Sequence, residues 1–326
     1  MGTTQPDRST SVLAPRDSGS RTLCGVTTWN EAERAALVAL LRARPGGIKW
    51  PEIVLEVAEA GSARTVWERH SPPALFDSSD SEFIAQASAD ISAWENAGLR
   101  FLTFLDPEYP AQLREIHQAP PFLFCKGKLE SDSQAVSVVG SRKASERGLE
   151  IATNLARTLA DSGITVISGL AAGIDAAAHT ETLRVGGRAV AVIGTGINRN
   201  YPAANSKLQA EIADSGLLMS QFWPDAPPQK HTFLMRNATM SGYGKATIVV
   251  EAGETSGARA QARMAVEHGR PVILTDLVVE KNEWAQTLAA RPGVYVASST
   301  DDVMKVVRHV TRSLDDVVGS LLPVSR

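Results

Sequence analysis

The sequence predicts an α/β fold: a doubly wound, mostly parallel sheet preceded by a small helical module. Three observations predict it. From Ala135 onward, apolar runs recur at 135–139, 164–167, 189–193, 217–220, 246–250, 271–275 and 294–297, with helical segments between them such as Glu146 to Ser162 and Ser256 to His268. These runs lack polar alternation, which is the pattern of strands buried on both faces. Two of them end in glycine turns that open into helices: Val138-Val139 runs into Gly140-Ser141-Arg142, and Val166-Ile167 into Ser168-Gly169-Leu170-Ala171-Ala172-Gly173-Ile174-Asp175. Strand, turn and helix in repetition make an extended Rossmann-like sheet covered on both sides.

The elements follow in order. Residues 1–28 are rich in Thr, Ser, Asp, Arg and Pro and read as a disordered tail. From Trp29 the pattern is helical, with Ala32, Ala36, Leu37, Leu40 and Leu41 on one face, until Pro45-Gly46-Gly47 ends it. Further helices are expected over Pro51 to Ala60, Val66 to His70 and Ser81 to Ala97. Residues 29–98 therefore read as a helical module of the SAM or helix-hairpin kind. Two readings of it stand: a clamp on a DNA backbone, built on its glycine turns, or a bundle packed on the main domain. Gly98 to Phe104 reads as a strand, Asp106 to Pro110 as a rigid turn and Ala111 to Ile116 as helical. Pro120 to Cys125 leads into the Rossmann-like domain, which is taken as 99–311, with a short tail over 312–326.

Bulk numbers narrow the function. A chain of 326 residues suggests two domains, or one with an extension. Hydrophobic content of 43% against 21% charged predicts a packed core. The net charge of −3 argues against a generally basic nucleic-acid binder, so any phosphate contact must come from a local patch or from backbone amides. Cys24 and Cys125 are the only cysteines, which excludes a disulfide scaffold or a cysteine-built zinc cluster and fits a reducing cytosol. No apolar run reaches the roughly 20 residues of a membrane span, and Met1 to Ser20 lacks the apolar stretch of a secretory signal. A cytoplasmic protein without metal, cofactor or membrane contact is expected.

In a doubly wound sheet, ligands bind beyond the carboxyl ends of the strands, so those ends are where function is sought. After the first run, Gly140 lets a ligand approach the backbone, Ser141 can donate to a phosphate and Arg142 can grip one bidentately. Neither G-x-G-x-x-G nor a Walker A motif is present, which leaves NAD or ATP use unsupported. After the second run, Gly169 and Gly173 free the turn, and helix N–H groups there suit an anion. Asp175 stands where an N-cap would, and His179 lies one helical turn on. The pair reads either as acid and base or as cap and helix partner; with no nucleophile near, the second reading is favoured. The third loop carries Gly194, Gly196, Arg199, Tyr201 and Asn205, where Tyr201 either stacks a base or packs under the loop. In Lys230-His231-Thr232-Phe233-Leu234-Met235-Arg236-Asn237, basic residues flank an aromatic, the combination for phosphate contact and base stacking. The alternative there is a helix with Phe233 in the core. Glu251 ends a later run, and Ser256-Gly257 caps the helix that follows.

Taken together these residues resemble the DNA-processing protein A (DprA/Smf) family. The resemblance rests on Val139-Gly140-Ser141-Arg142, Ser168-Gly169-Leu170-Ala171-x-Gly173-Ile174-Asp175-x-x-Ala178-His179, Gly194-x-Gly196 with Tyr201-Pro202-x-x-Asn205, Phe233-x-x-Arg236-Asn237 and Val250-Glu251-Ala252-x-x-x-Ser256-Gly257. Upstream, Asp106-x-x-Tyr109-Pro110-x-x-Leu113 joins it, so that it covers about 30–275. It implies a cytosolic, non-catalytic protein that binds single-stranded DNA, helps load the RecA recombinase in natural transformation and dimerises through its Rossmann-like domain. It also implies a DNA pocket at Gly140, Ser141, Arg142, Ser168, Gly169, Gly173, Lys230, Phe233, Arg236 and Asn237. The chain departs from the pattern at Ala172 and Ala238, where the family carries arginines, and at Ser220-Gln221. The later Pro-Gly segment is replaced by Thr275-Asp276-Leu277 and Asn282-Glu283-Trp284, and no winged helix follows Thr311.

Three function classes compete. A single-stranded-DNA-binding protein of DNA processing leads, on the basic and aromatic strand ends. A regulator or antitoxin in an anti-phage defence pair, binding a partner protein or a nucleotide signal, is the alternative suggested by the lost arginines and the acidic pI. An enzyme of the nucleotide phosphoribohydrolase kind ranks last, because its Pro-Gly-Gly-x-Gly-Thr-x-x-Glu motif is absent.

Overall fold

The computed structural model describes residues 29–70 and 79–311; the two tails read at 1–28 and 312–326 lie outside them. Four helices come first: α1 (Glu31–Ala43), α2 (Trp50–Ala60), α3 (Ala63–His70) and α4 (Ser79–Asn96). Asn30 starts α1 by accepting from the Ala32 and Glu33 amides at 3.0 and 3.2 Å. Leu37, Leu40 and Leu41 are buried as the periodicity predicts, but Ala32 is exposed, because it sits in the first turn beyond the packed stripe. Glu33 takes a core position among them, and its carboxylate caps α3, accepting from the Ala63 amide (2.6 Å) and the Ser62 hydroxyl (2.9 Å).

Aromatic rings join these helices to the sheet. Trp94 of α4 meets Phe124 edge-on at 4.9 Å, and Trp223 stacks on Phe122 at 4.4 Å. Arg42 lies over the Trp223 ring at 4.9 Å.

The sheet has nine strands: β1 (Arg100–Thr103), β2 (Phe122–Gly127), β3 (Ala135–Gly140), β4 (Thr165–Ser168), β5 (Ala189–Ile193), β6 (Leu217–Ser220), β7 (Ala246–Glu251), β8 (Val272–Thr275) and β9 (Val294–Ala297). Their order is β1-β2-β6-β5-β4-β3-β7-β8-β9. All neighbours from β6 to β9 pair in parallel, and β1 and β2 add on antiparallel. The doubly wound, mostly parallel sheet read from the sequence is therefore borne out. The helix expected over Ala111 to Ile116 shrinks to a single turn at Ala111–Leu113, because Pro110 and the Arg114 contacts to the Phe104 and Asp106 carbonyls hold the chain locally.

Helices α5 (Glu146–Asp161), α6 (Ile174–Arg184), α7 (Ser206–Ser215), α8 (Lys230–Tyr243), α9 (Gly257–Glu267), α10 (Asp276–Val279), α11 (Glu283–Ala289) and α12 (Thr300–Thr311) accompany the strands. The chain winds outward from β3 through β4, β5 and β6, then returns to the other side of β3 as β7, β8 and β9. The order thus reverses between β3 and β7. Beyond the carboxyl ends of that pair, a crevice forms where no crossover helix covers it.

At the opposite, amino edge a buried polar knot ties four segments. The Asp132 carboxylate accepts from Thr165 Oγ1 (2.8 Å), Tyr243 Oη (2.6 Å) and Arg188 Nε and Nη2 (2.6 and 2.9 Å). Burial pushes the Tyr243 hydroxyl far above its usual range, and the neighbouring Asp132 charge pushes it further.

Candidate nucleic-acid interface

The crevice at the strand reversal is a cavity of about 950 Å³. The turn after β3 supplies Gly140, Ser141, Arg142 and Lys143, α8 supplies Lys230, Phe233, Arg236 and Asn237, and the turn into α9 supplies Gly253, Thr255, Ser256 and Gly257. A side lobe of about 160 Å³ opens between Arg142, Gly169, Ala172, Gly194, Tyr201, Phe233 and Arg236.

Local chemistry fixes each side. Thr232 donates to the Gly194 carbonyl at 2.6 Å, which pins the first turn of α8 to the end of β5. A side chain at Gly194 would strike the Phe233 ring at 2.5 Å, so the glycine is what admits the ring. Phe233 then has Tyr201 on one side, with ring centres 5.4 Å apart, and the Arg142 guanidinium over it at 5.3 Å. Leu170 holds a left-handed φ of 55°, and Asn205 secures that turn by donating to its carbonyl at 2.9 Å.

Arg236 is the least expected member. It is only 5% exposed, and its Nη1 donates to the Val192 carbonyl at 2.9 Å. Its Nε meets no acceptor among the described residues. Burial presses its pKa downward, opposed by the Asp175 carboxylate and aided by Arg142, yet a guanidinium stays charged in any aqueous protein. The cavity floor is therefore a cation short of acceptors.

The second glycine turn differs from the sequence reading. Gly173, with φ 79°, is the N-cap of α6, and Asp175 is not. The Asp175 carboxylate instead accepts from the Gly169 and Ala171 amides at 3.2 and 3.3 Å. The amides expected to cradle an anion are thus occupied by the chain's own carboxylate. Gly169 is small for another reason: a Cβ there would lie 1.5 Å from Arg236 Nη1. Gly173 lets two loops meet, since its Cβ would fall 2.2 Å from the Ser141 carbonyl.

Other predicted residues lie outside the cavity and its lobe. Ser168 is fully buried and donates to the Val138 carbonyl at 2.6 Å. Arg199 reaches away to the Asp225 carbonyl at 3.1 Å. Glu251 accepts from the Ser145 amide and hydroxyl at 2.9 and 3.0 Å, and Gly196 packs under the Trp223 and Pro224 carbonyls. Ser256, by contrast, lines the cavity and caps α9 as read, accepting from the Ala258 amide at 3.0 Å. Ala172 lines the lobe, but Ala238 is buried on α8 away from the lining, so only the first lost arginine falls within the cavity. Several lining residues were not assigned to the site from the sequence, Lys143, Gln229, Thr255 and Gln261 among them. Lys143 could have been flagged as a second charge beside Arg142; Gln261 carried no signal, as an interior position of a helix.

His179 is fully buried beneath this floor, and neither ring nitrogen meets a partner among the described residues. It makes no hydrogen bond to Asp175, so the two form no acid–base pair. Burial, with the Arg236 charge, pushes its pKa down to about 4. A histidine depressed in the folded state contributes stability that is full above the unfolded value of about 6.5 and is lost as pH falls toward about 4. Chemical unfolding should therefore show His179→Leu losing about 3 kcal/mol less than the parent between those limits. Asp175, raised by burial, titrates with the opposite sign, so the parent–variant difference is the quantity to read. Equal losses in both proteins would refute this.

A family profile described as DNA recombination-mediator protein A matches residues 100–308. The chain belongs to this family. The DNA processing protein DprA of Streptococcus pneumoniae is 40% identical over 171 residues, covering 52% of this chain and 60% of that one. The X-ray structure of that species' DprA superposes with a TM-score of 0.63 at 28% identity, over 84% of this chain and 95% of that one. DNA processing protein A from Helicobacter pylori, whose structure is described for its single-stranded DNA binding mode, gives 0.57 at 22% identity over 64% of this chain and 96% of that one. The chain spans about half to two thirds of the length of the curated relatives it matches. Among the described residues of this DprA-family chain, no helix is long and apolar enough to cross a membrane.

Proposed function

We propose that this DprA-family protein binds single-stranded DNA in the carboxyl-edge cavity and acts in DNA processing by binding alone. The observation that carries the reading is Arg236: a buried cation with an unpartnered Nε on the cavity floor, beneath the Arg142–Phe233 pair. A phosphate supplies the missing acceptors, and the partly buried Phe233 on the cavity wall offers a face for a base. Lys230 and Lys143 at the mouth supply further cations along a strand. The single-stranded DNA binding described for the Helicobacter pylori relative points the same way. Binding without catalysis is favoured because Asp175 is engaged by backbone amides and His179 does not line the cavity. The finer steps belong to the same proposal: a cytoplasmic protein that hands the strand to a RecA-type recombinase and works as a homodimer. The outer edge of β9, with Tyr295 and Val296 exposed, is a surface suited to that pairing.

Mobility shifts with labelled oligonucleotides test the reading. Phe233→Ala should lose about 1–3 kcal/mol of single-strand affinity, and a duplex of the same sequence should compete poorly. Unchanged binding in the variant would remove the cavity from the account.

A further inference from the structure

A second cationic groove continues from the cavity. About 490 Å³ in volume, it lies between α9, α11 and the turn that follows α11, and it shares Thr255, Ser256 and Ala260 with the cavity's own wall. Arg259 and Arg263 stand one turn apart on α9, and Arg291 joins them from the far side. Arg259 donates to the Glu254 carbonyl at 2.8 Å, with the Glu254 carboxylate, also in the lining, 3.8 Å away; Arg263 is more loosely held, 3.4 Å from Glu267. Arg291 has no acidic partner among the described residues.

The wall between these cations is Trp284. It is 8% exposed, and its indole N–H is buried without an acceptor among the described residues. A buried donor of this kind costs about 1–3 kcal/mol unless something occupies it. Trp284 is carried on the first turn of α11. Leu288 beside it gives the groove an apolar face. Cations at the rim, an aromatic wall and an unpaired buried donor in that wall together suit a sugar–phosphate chain.

We infer that the groove of Arg259, Arg263, Arg291 and Trp284 is a second phosphate-binding track, which takes the length of single strand that leaves the main cavity over the α9 N-terminus. The inference rests on the proposed DNA reading of the cavity. A short oligonucleotide then fills the cavity alone, and a longer one engages both.

Fluorescence anisotropy with oligothymidylates of about 6 and about 20 nucleotides separates the two sites. For Arg263→Gln/Arg291→Gln, the longer strand should bind about tenfold more weakly, with a slope of log K against log salt shallower by about 1.4. The short strand should bind as it does to the parent, which also shows that the variant is folded. Trp284→Phe, which keeps a ring and removes the donor, should weaken only the longer strand. Equal weakening of both lengths, or of neither, would overturn the track. Arg142→Ala reports on the cavity separately: if it leaves the short strand's affinity intact, the cavity reading fails whatever the groove variants do. A parent that binds neither length would overturn both.

Discussion

Asp132→Ala is expected to lower the unfolding free energy by about 3–5 kcal/mol. The side chain is buried and gathers Thr165, Tyr243 and both contacting nitrogens of Arg188. Removing it leaves a largely buried guanidinium with only the Lys128 carbonyl at 3.0 Å and the Glu130 carboxylate at 3.7 Å, and leaves the Tyr243 hydroxyl, itself 1% exposed as a residue, without its acceptor. The knot joins the segments that lead into β3, β4, β5 and β7, so its loss loosens the amino edge of the sheet where four elements start. Denaturant titration measures the effect; a loss below about 1 kcal/mol would mean that water replaces the carboxylate without penalty. The carboxyl edge lies at the other end of those strands, so strand binding by the folded fraction should persist.

Gly169→Ala is expected to cost about 1.5–3 kcal/mol in stability and, by the same displacement, about 10–100-fold in oligonucleotide affinity. Its methyl group would lie 1.5 Å from Arg236 Nη1, 2.4 Å from Cζ and 2.7 Å from Nη2. The guanidinium must leave, giving up the Val192 carbonyl and filling the lobe beside Phe233. A double-mutant cycle isolates that clash. Gly169→Ala should cost little more when Arg236→Ala is already present, because the methyl then enters vacated space. Additive losses would mean that Gly169 serves the turn itself and not the arginine.

These two sites show what the sequence disclosed and what it withheld. Strand ends were legible because parallel strands write themselves as apolar runs, and the residues after each run had to lie along one edge. The meeting of Arg142, Phe233, Lys230 and Arg236 followed from that placement. Asp132 was not legible: in Glu130-Ser131-Asp132 it looks like any loop acid, and its partners lie up to 111 residues away. The glycine turns were read as anion cradles from local pattern alone. Local pattern does not reveal that Asp175 folds back onto the amides of its own turn, or that Gly169 makes room for a side chain 67 positions further along. Arg199 does not line the cavity for a related reason, since a loop arginine can turn to either side and here it donates to the Asp225 carbonyl.

The central claim is that the cavity between β3, α8 and α9 holds the phosphate backbone of a single strand. The most direct measurement is the affinity of the full chain for a short oligothymidylate as a function of salt, for the parent and for Arg142→Ala. The account predicts that the parent's log K falls steadily with log salt, and that the variant binds more weakly with a slope shallower by about 0.7, the loss of one phosphate contact. An unchanged affinity and slope in the variant would contradict it.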